Sequence, residues 1–524
     1  MSLPVTDTSV GASTRQIETL IIGSGFAGLG AAIKLAQAGK DFLVLERADE
    51  VGGTWRDNTY PGAACDVPSN LYSYSFALNP GWTRSFSPQP EIQAYIASVA
   101  DKYDVRRRTV FGCDVEAARW NSDTHRWDVT TTRGSYSAKH VVSAVGALCE
   151  PALPEIAGIE DFQGEIFHSA RWNHEADLTG KRVAVIGTGA SAIQIVPAIA
   201  DQVAHLDVYQ RTAPWILPRA DREYTGAEKF AFRHVPGFQR LSRALQYLMR
   251  ETQVVGLAKA PAFMKPLEIA ARVQIRRGIS DRQLRRKVTP NFQIGCKRML
   301  ISNNYYPALD RPDVDLVTDG IVEVTANGIV TRDGTVREVD AIVVATGFHV
   351  TDSPMFAGIF GKDGRSLAEV FDETGMQGYK GTTVAGFPNL FFLVGPNTGL
   401  GHTSMVYMIE SQLNYVVDAI RTIDRHHLGT VEVRDDVQDR YNRDLQDALK
   451  SSVWNNGGCA SWYLDKHGNN TTLWPGFTFE FRRITKQFDL EAYRSVATAD
   501  LPAVTSTETP TPTPKHTSRK AAVK

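Results

Sequence analysis

The chain has 524 residues, 43% hydrophobic and 22% charged, with 57 Lys and Arg against 58 Asp and Glu. That length has room for two or three domains with ample cores, and the composition is that of an ordinary soluble globular protein. A net charge of -1 excludes the global field that gathers nucleic acid or an anionic membrane. The five cysteines, Cys65, Cys113, Cys149, Cys296 and Cys459, are odd in number and scattered. They argue against a disulfide framework and against a zinc site, and for a reducing cytoplasm. No secretion pattern opens the chain, and no apolar run approaches the roughly 20 residues that span a bilayer. A cytoplasmic protein is the expectation.

Residues 1–15 are polar and without periodicity, and are expected to be disordered. Thr19, Leu20, Ile21 and Ile22 then form a short apolar strand leading into Gly23, Gly25 and Gly28, with Phe26 and Ala27 between them. A helical pattern follows, and then an apolar strand over 42–45 that ends at Glu46. Strand, glycine turn, helix and strand form the context in which GxGxxG binds a dinucleotide. Gly23 permits the tight turn, Gly25 lets the backbone approach a pyrophosphate, and Gly28 lets the helix pack on the strand, its N-terminus toward the phosphates. Glu46 stands where an acid bonds a ribose hydroxyl; the plainer reading is a solvated acid at a strand end.

The arrangement recurs from Arg182. A strand over 183–186 enters Gly187, Thr188, Gly189, Ala190, Ser191 and Ala192, and a helix follows. The next strand, 206–209, ends in Gln210, Arg211 and Thr212 and carries no acid. Arg and Thr in place of a carboxylate favour a 2′-phosphate, hence NADP over NAD; a solvent-facing cation is the alternative for Arg211. Apolar strands near 141–145 and 341–345 read as crossings between two units. The second unit, 151–345, is thus expected to be inserted in the first, 16–150 and 346–495. Residues of about 222–290 read as helices rich in Arg, Lys and Leu. Within them Arg282, Arg285, Arg286 and Lys287 read as a solvated face, with peripheral membrane or partner contact as the alternative. A strand near 390–394 runs into a turn from Gly395 to Gly401, which either sits against a flat ring or is an ordinary turn. From 496 to 524 the chain turns Thr-, Pro- and Lys-rich and is expected to be disordered.

Between the two glycine loops, Phe162, Gly164, His168 and Trp172 are spaced as FxGxxxHxxxW. This string resembles the fingerprint of Baeyer–Villiger monooxygenases, and from about residue 17 to 490 the chain resembles the class B flavoprotein monooxygenases. The resemblance implies an α/β fold of two Rossmann-like dinucleotide-binding domains, for FAD and for NADPH, the second inserted in the first and carrying the helical insertion. The first loop, Glu46, Gly53, Thr54 and Trp55 resemble the family's FAD site, to which Tyr72 and Val115 are assigned as well. The stretch from Tyr60 to Asp66 resembles the one whose aspartate lies beside the flavin. The stretch from Gly295 to Arg298 resembles the one that supplies the active-site arginine, and Lys297 joins Arg211 and Thr212 around the 2′-phosphate of NADPH. The string departs from the family at Asn173, where Pro or Asp is usual. Trp172 separates it from the N- and S-oxygenating branch, which usually has Tyr there. His168 belongs in the family to the linker that couples the domains, and is not read as catalytic.

The chemistry so implied begins with reduction of FAD by NADPH. Reduced flavin and O2 give a peroxide at flavin carbon C4a, whose deprotonated form attacks a ketone to yield an ester or lactone. A guanidinium, always charged and rich in donors, suits that anion and the oxyanion that follows. Arg298 and Asp66 are therefore the catalytic candidates, Asp66 holding Arg298 by charge-assisted bonds. Read from the residues alone, a structural ion pair is the alternative. No metal is needed, and no cluster has ligand spacing. The expected partners are a small ketone and O2, without nucleic acid; ketone identity and oligomeric state stay open. Segments around Trp454, Trp462 and Tyr463 and helices near 240–270 are candidates for the substrate wall. The competing functions are heteroatom oxygenation, a pyridine-nucleotide disulfide reductase, which would need a partner for Cys65, and a non-oxygenating NADPH-binding flavoprotein.

Overall fold

A computed structural model describes residues 14–500. The disorder expected of residues 1–15 and 496–524 lies almost wholly outside that range. At its margins the expectation is corrected: one strand begins at Arg15, and Val496 and Ala497 belong to strand Tyr493–Ala497. That strand pairs antiparallel with Leu428–Val433, so ladder bonds order residues whose composition alone suggests a tail.

Eight strands build the larger sheet, ordered 359–360, 115–121, 126–131, 134–143, 15–22, 42–45 and 109–110, with 390–392 alongside the far half of 134–143. Strand Arg15–Ile22 is central and parallel to both neighbours, Ile22 standing opposite Leu45 and Ser143. A strand covered on both faces reads as a continuous apolar run, and residues 19–22 are buried without alternation. The antiparallel wing follows from a two-residue hairpin turn, Thr131 standing opposite Gly134. One face of this sheet carries helices Phe26–Gln37, Gln89–Lys102 and Met405–Arg425, whose Leu29, Ile33, Ile96, Leu413 and Ile420 form one core. The other face packs Leu20, Trp127, Val141 and Leu390. Trp127 is fully buried because its indole N–H reaches the Pro388 carbonyl at 2.8 Å.

The second sheet is all parallel, ordered 314–317, 205–209, 182–186, 341–344 and 165–168. Val183, Val185, Leu206, Val208 and Val343 pack against Ile193 and Val196 of helix Ala192–Ile199. Truncating one of these fully buried side chains, such as Leu206, to Ala costs about 2–5 kcal/mol. The chain passes from the first sheet after Ser143 and closes the second with Ala341–Val344 before returning to 359–360 and 390–392.

Between the second sheet's strands lie helices Gly226–His234, Phe238–Glu251, Lys265–Gly278 and Arg282–Lys287. Thr225 opens the first with a capping box, accepting from the Glu228 amide while the Glu228 carboxylate accepts from the Thr225 amide. Arg282, Arg286 and Lys287 are exposed, whereas Arg285 is half-buried and donates to the Ile279 carbonyl at 2.7 Å. Among the described residues no helix is long and apolar enough to cross a membrane.

Candidate active site

Each glycine loop leaves the C-terminal end of a parallel strand. Gly23 and Gly187 take φ of +98° and +118°, a region that side chains rarely enter. A Cβ on Gly28 would lie 1.8 Å from the Gly23 carbonyl oxygen, so helix Phe26–Gln37 sits directly on its own loop. The unpaired amides of its first turn are available to an anion. Glu46 is buried at the end of strand Phe42–Leu45 and crosses to the loop, accepting from the Ser24 amide at 2.9 Å and the Ser24 hydroxyl at 2.6 Å. Its other oxygen accepts from the Ala48 amide at 3.0 Å and from Arg56 at 2.9 Å. All four acceptor sites of the carboxylate are taken, so a ribose diol would bond here by displacing the Ser24 hydroxyl or Arg56.

At the second loop, Thr188 donates to the Thr212 carbonyl at 3.1 Å, tying the loop to the end of strand His205–Tyr209. Arg211 and Lys297 have no ion-pair partner among the described residues. Burial lowers the Lys297 pKa, and the nearby Arg211 lowers it further. Two neighbouring cations without a counter-ion fit a phosphate dianion.

Every residue assigned from the sequence to catalysis or cofactor binding, Gly28 excepted, lines one cavity of about 1830 Å³. Single-ligand pockets run to about 300–1,000 Å³, so this one has room for more than one cofactor-sized molecule. Near the first loop its wall is aromatic: Tyr72 meets Phe26 edge-on at 5.2 Å and accepts from the Trp55 indole at 3.0 Å. Thr54, Gly53 and Val115 line the same cavity.

Asp66 is delivered by a stretch that docks on the helix of the second loop. The Tyr60 hydroxyl donates to Gln194 at 3.0 Å, and Gln194 donates to the Ala64 carbonyl at 3.0 Å. Arg298 reaches Asp66 as a fork, Nε to Oδ2 at 2.7 Å and Nη2 to Oδ1 at 2.8 Å, and its Nη1 donates to the Leu400 carbonyl at 3.1 Å. Leu400 belongs to the glycine turn that precedes helix Met405–Arg425, so that turn does reach the cavity. Asp66 raises the Arg298 pKa despite burial, which keeps the guanidinium charged at any working pH. Burial pushes the Tyr463 hydroxyl up to about 12.

One expectation fails beside this fork. The scattered cysteines argued against disulfides, yet Cys296 and Cys459 are bonded, with Cα atoms 6.2 Å apart across 163 residues of sequence. The fold folds the 458–463 segment onto the Arg298 stretch, and spacing along the chain carries no signal of that approach. Cys65, Cys113 and Cys149 are free.

The fingerprint string stands behind the cavity wall. It forms strand Glu165–His168 at the edge of the second sheet and the turn after it. The His168 Nδ1 accepts from the Ala170 amide at 3.1 Å, and burial lowers its pKa. Trp172 packs edge-on against Phe167 at 4.9 Å. Asn173 accepts from the Glu175 amide at 3.0 Å, a turn role that Asp also fills, whereas Pro would hold the turn by its fixed φ instead. Of this stretch Arg171 lines the cavity, a residue the motif does not mark.

Ala460, Ser461, Trp462 and Tyr463 line the cavity as well, whereas Trp454 is core, 2% exposed and packed with Leu257. No residue of 240–270 lines it. Arg250 nonetheless lies close to the fork: burial lowers its pKa, Asp66 raises it and Arg298 lowers it. The segments of Leu400 and Arg250 were candidates from the sequence, but neither residue was marked individually and Met405 carried no signal, because their approach depends on how distant segments pack. Elsewhere, His205, Asp207 and Asp315 gather as metal-ligand types do, but Arg337 already pairs with both aspartates at 2.6 and 2.9 Å.

Residues 20–225 match the family model described as pyridine nucleotide-disulphide oxidoreductase. The chain is 51% identical over 500 residues to a Baeyer-Villiger monooxygenase of Pseudomonas aeruginosa, covering 95% of each chain. It superposes on cyclohexanone monooxygenase from Rhodococcus sp. Phi1 bound to NADP+ with a TM-score of 0.82 and 28% identity, over 93% of this chain and 100% of that one. It likewise superposes on OTEMO in complex with FAD and NADP, with a TM-score of 0.83 and 27% identity, over 92% and 100%. The disulphide oxidoreductase match covers the two glycine loops, while Cys65 is buried and free rather than half of a redox pair.

Proposed function

The chain belongs to the Baeyer–Villiger monooxygenases, and from that premise we propose that it consumes NADPH and O2 to insert one oxygen atom beside a ketone carbonyl, giving an ester or lactone. Bound FAD supplies the oxygen activation, with NADPH as the source of electrons. The observation that carries this reading is the Asp66–Arg298 fork in the wall of a cavity that both glycine loops share.

The first loop and the surface from Gly53 to Tyr72 would hold FAD, its pyrophosphate against the N-terminus of helix Phe26–Gln37. The second loop would hold NADPH, with Arg211, Thr212 and Lys297 around the 2′-phosphate. The division of the chain follows: 16–150 and 346–495 around FAD, and 151–345 around NADPH, with the helices between 222 and 290 inserted. Membership of the two sheets supports it.

Arg298 has five N–H donors. Two are committed to Asp66 and one to the Leu400 carbonyl, which leaves two for negative charge developing on a ketone oxygen. Donors fixed before the reaction need no reorganisation during it, and one such donor contributes ~3–4 kcal/mol. Asp66 is a positioning residue: it holds the planar fork and keeps the charge in place. Leu400, Met405 and Trp462 contribute apolar wall that excludes water from the reacting atoms. Consumption of NADPH is the ground for a cytoplasmic setting.

The test follows NADPH oxidation by the purified flavoprotein with cyclic, aryl and long-chain ketones, with products identified by mass. A ketone converted to an ester or lactone one oxygen heavier supports the reading. Oxygen gained by sulfides or amines alone, with every ketone returned unchanged, overturns it.

A further inference from the structure

Helix Phe238–Glu251 is turned inside out. Phe238, Leu241, Leu245, Leu248 and Met249 recur at helical spacing along one face and are all exposed, Leu245 by 54% and Met249 by 72%. Its opposite face is polar and fastened inward. Gln239 donates to Asn70 at 2.9 Å and to the Asn79 carbonyl at 2.6 Å. Arg243 donates to the carbonyls of Asn70, Leu71 and Ser73 at 2.9, 3.0 and 2.8 Å. Glu251 accepts from the Thr478 amide at 2.9 Å and its hydroxyl at 2.7 Å. A surface helix ordinarily buries its apolar stripe and exposes the polar one. Here the inward hydrogen bonds fix the reverse orientation, so the helix cannot roll its leucines into the core.

Phe230, Val235, Phe263, Ile269 and Val273, in the same helical insertion, are exposed as well. Ten of the eighteen large exposed hydrophobic residues described fall between 230 and 273, a concentration that marks a contact surface. The same segment is strongly basic. Residues 226–287 hold fourteen Lys and Arg against four Asp and Glu, in a chain whose net charge is -1. Arg233, Arg240, Lys259, Lys265, Arg276 and Arg286 are among those exposed.

Charge decides the occupant. A second copy of this chain would bring the same cationic surface against itself, as an isologous interface must, and repel it. An anionic lipid surface attracts the basic side chains and takes up the apolar ones within its headgroup boundary. We propose that the helical insertion docks the protein on an anionic membrane surface, with helix Phe238–Glu251 lying in the headgroup plane. At 14 residues this helix is too short to span.

The experiment is flotation of the full-length, FAD-loaded protein with phosphatidylcholine vesicles made with and without phosphatidylglycerol, at low and high salt. The protein is expected to float with the anionic vesicles at low salt and to be left behind by neutral ones. Leu245→Glu with Leu248→Glu should abolish flotation while the flavin spectrum and thermal unfolding stay as in the parent. Arg276→Glu with Arg277→Glu should weaken it roughly tenfold or more. Failure of the parent to float with anionic vesicles overturns the proposal, as does equal flotation on neutral ones. So does a double-Leu variant that floats as the parent does. A dimer in solution that the double-Leu variant splits, without vesicle binding, assigns this face to a second copy instead.

Discussion

Asp66 and Arg298 stand 232 residues apart in the chain and meet in a two-bond fork of 2.7 and 2.8 Å. One comes from a stretch docked on the second loop's helix through Gln194, the other from an irregular segment that precedes strand Leu300–Ile301 and is tied to Cys459 through Cys296. The geometry of the fork therefore depends on how the two sheets sit against each other, and a change in that packing would reach the guanidinium directly.

Removing the fork separates binding from oxygenation. Arg298→Ala is expected to retain FAD and its reduction by NADPH while ester formation falls by about 10²–10³-fold, the loss of one preorganised donor site. Arg298→Lys keeps a charge without the planar fork and should recover only part of the rate. Single-turnover reduction, followed by the flavin absorbance, measured beside product yield checks this; undiminished ester formation in Arg298→Ala would remove Arg298 from the mechanism.

Arg211 and Lys297 are two cations without a carboxylate partner among the described residues. Arg211→Ala should raise the KM for NADPH by about tenfold, the size of one partly exposed charge-assisted contact. The KM for NADH, which lacks the 2′-phosphate, should move little. Steady-state kinetics with both nucleotides decides it: equal shifts would mean that Arg211 does not face a 2′-phosphate.

His140 sits in the interior strand Gly134–Ser143, 1% exposed, tilted against Phe391, with neither ring nitrogen bonded. Burial lowers its pKa to about 3, with nearby Lys139 adding to the effect. Between that value and the usual 6.5 the unfolded chain binds a proton that the native state refuses. Stability from this site is thus complete above pH 6.5 and declines as the pH falls, on the order of 1.4 kcal/mol per pH unit. His140→Leu should lose that slope. Urea unfolding of both proteins at several pH values is the measurement, and parallel curves would contradict the assignment.

Much of the local structure was legible in the residues alone. The strand over 42–45 has the bounds its apolar run suggests, and both glycine loops leave strands and enter helices as their spacing requires. Backbone conformation at a glycine and burial of a short apolar run are local properties, so a single stretch of sequence specifies them. Contacts over long separations are another matter: the Asp66–Arg298 fork, the Cys296–Cys459 bond and the Leu400 carbonyl that receives Arg298 depend on which distant segments the two sheets bring together. Helix Phe238–Glu251 marks the boundary between the two kinds of information. Its 3.6-residue period identifies a helix and divides apolar from polar side chains, but periodicity carries no direction. Which stripe faces inward was decided by polar groups on the neighbouring segments, Asn70, the Ser73 carbonyl and Thr478, that hold Gln239, Arg243 and Glu251.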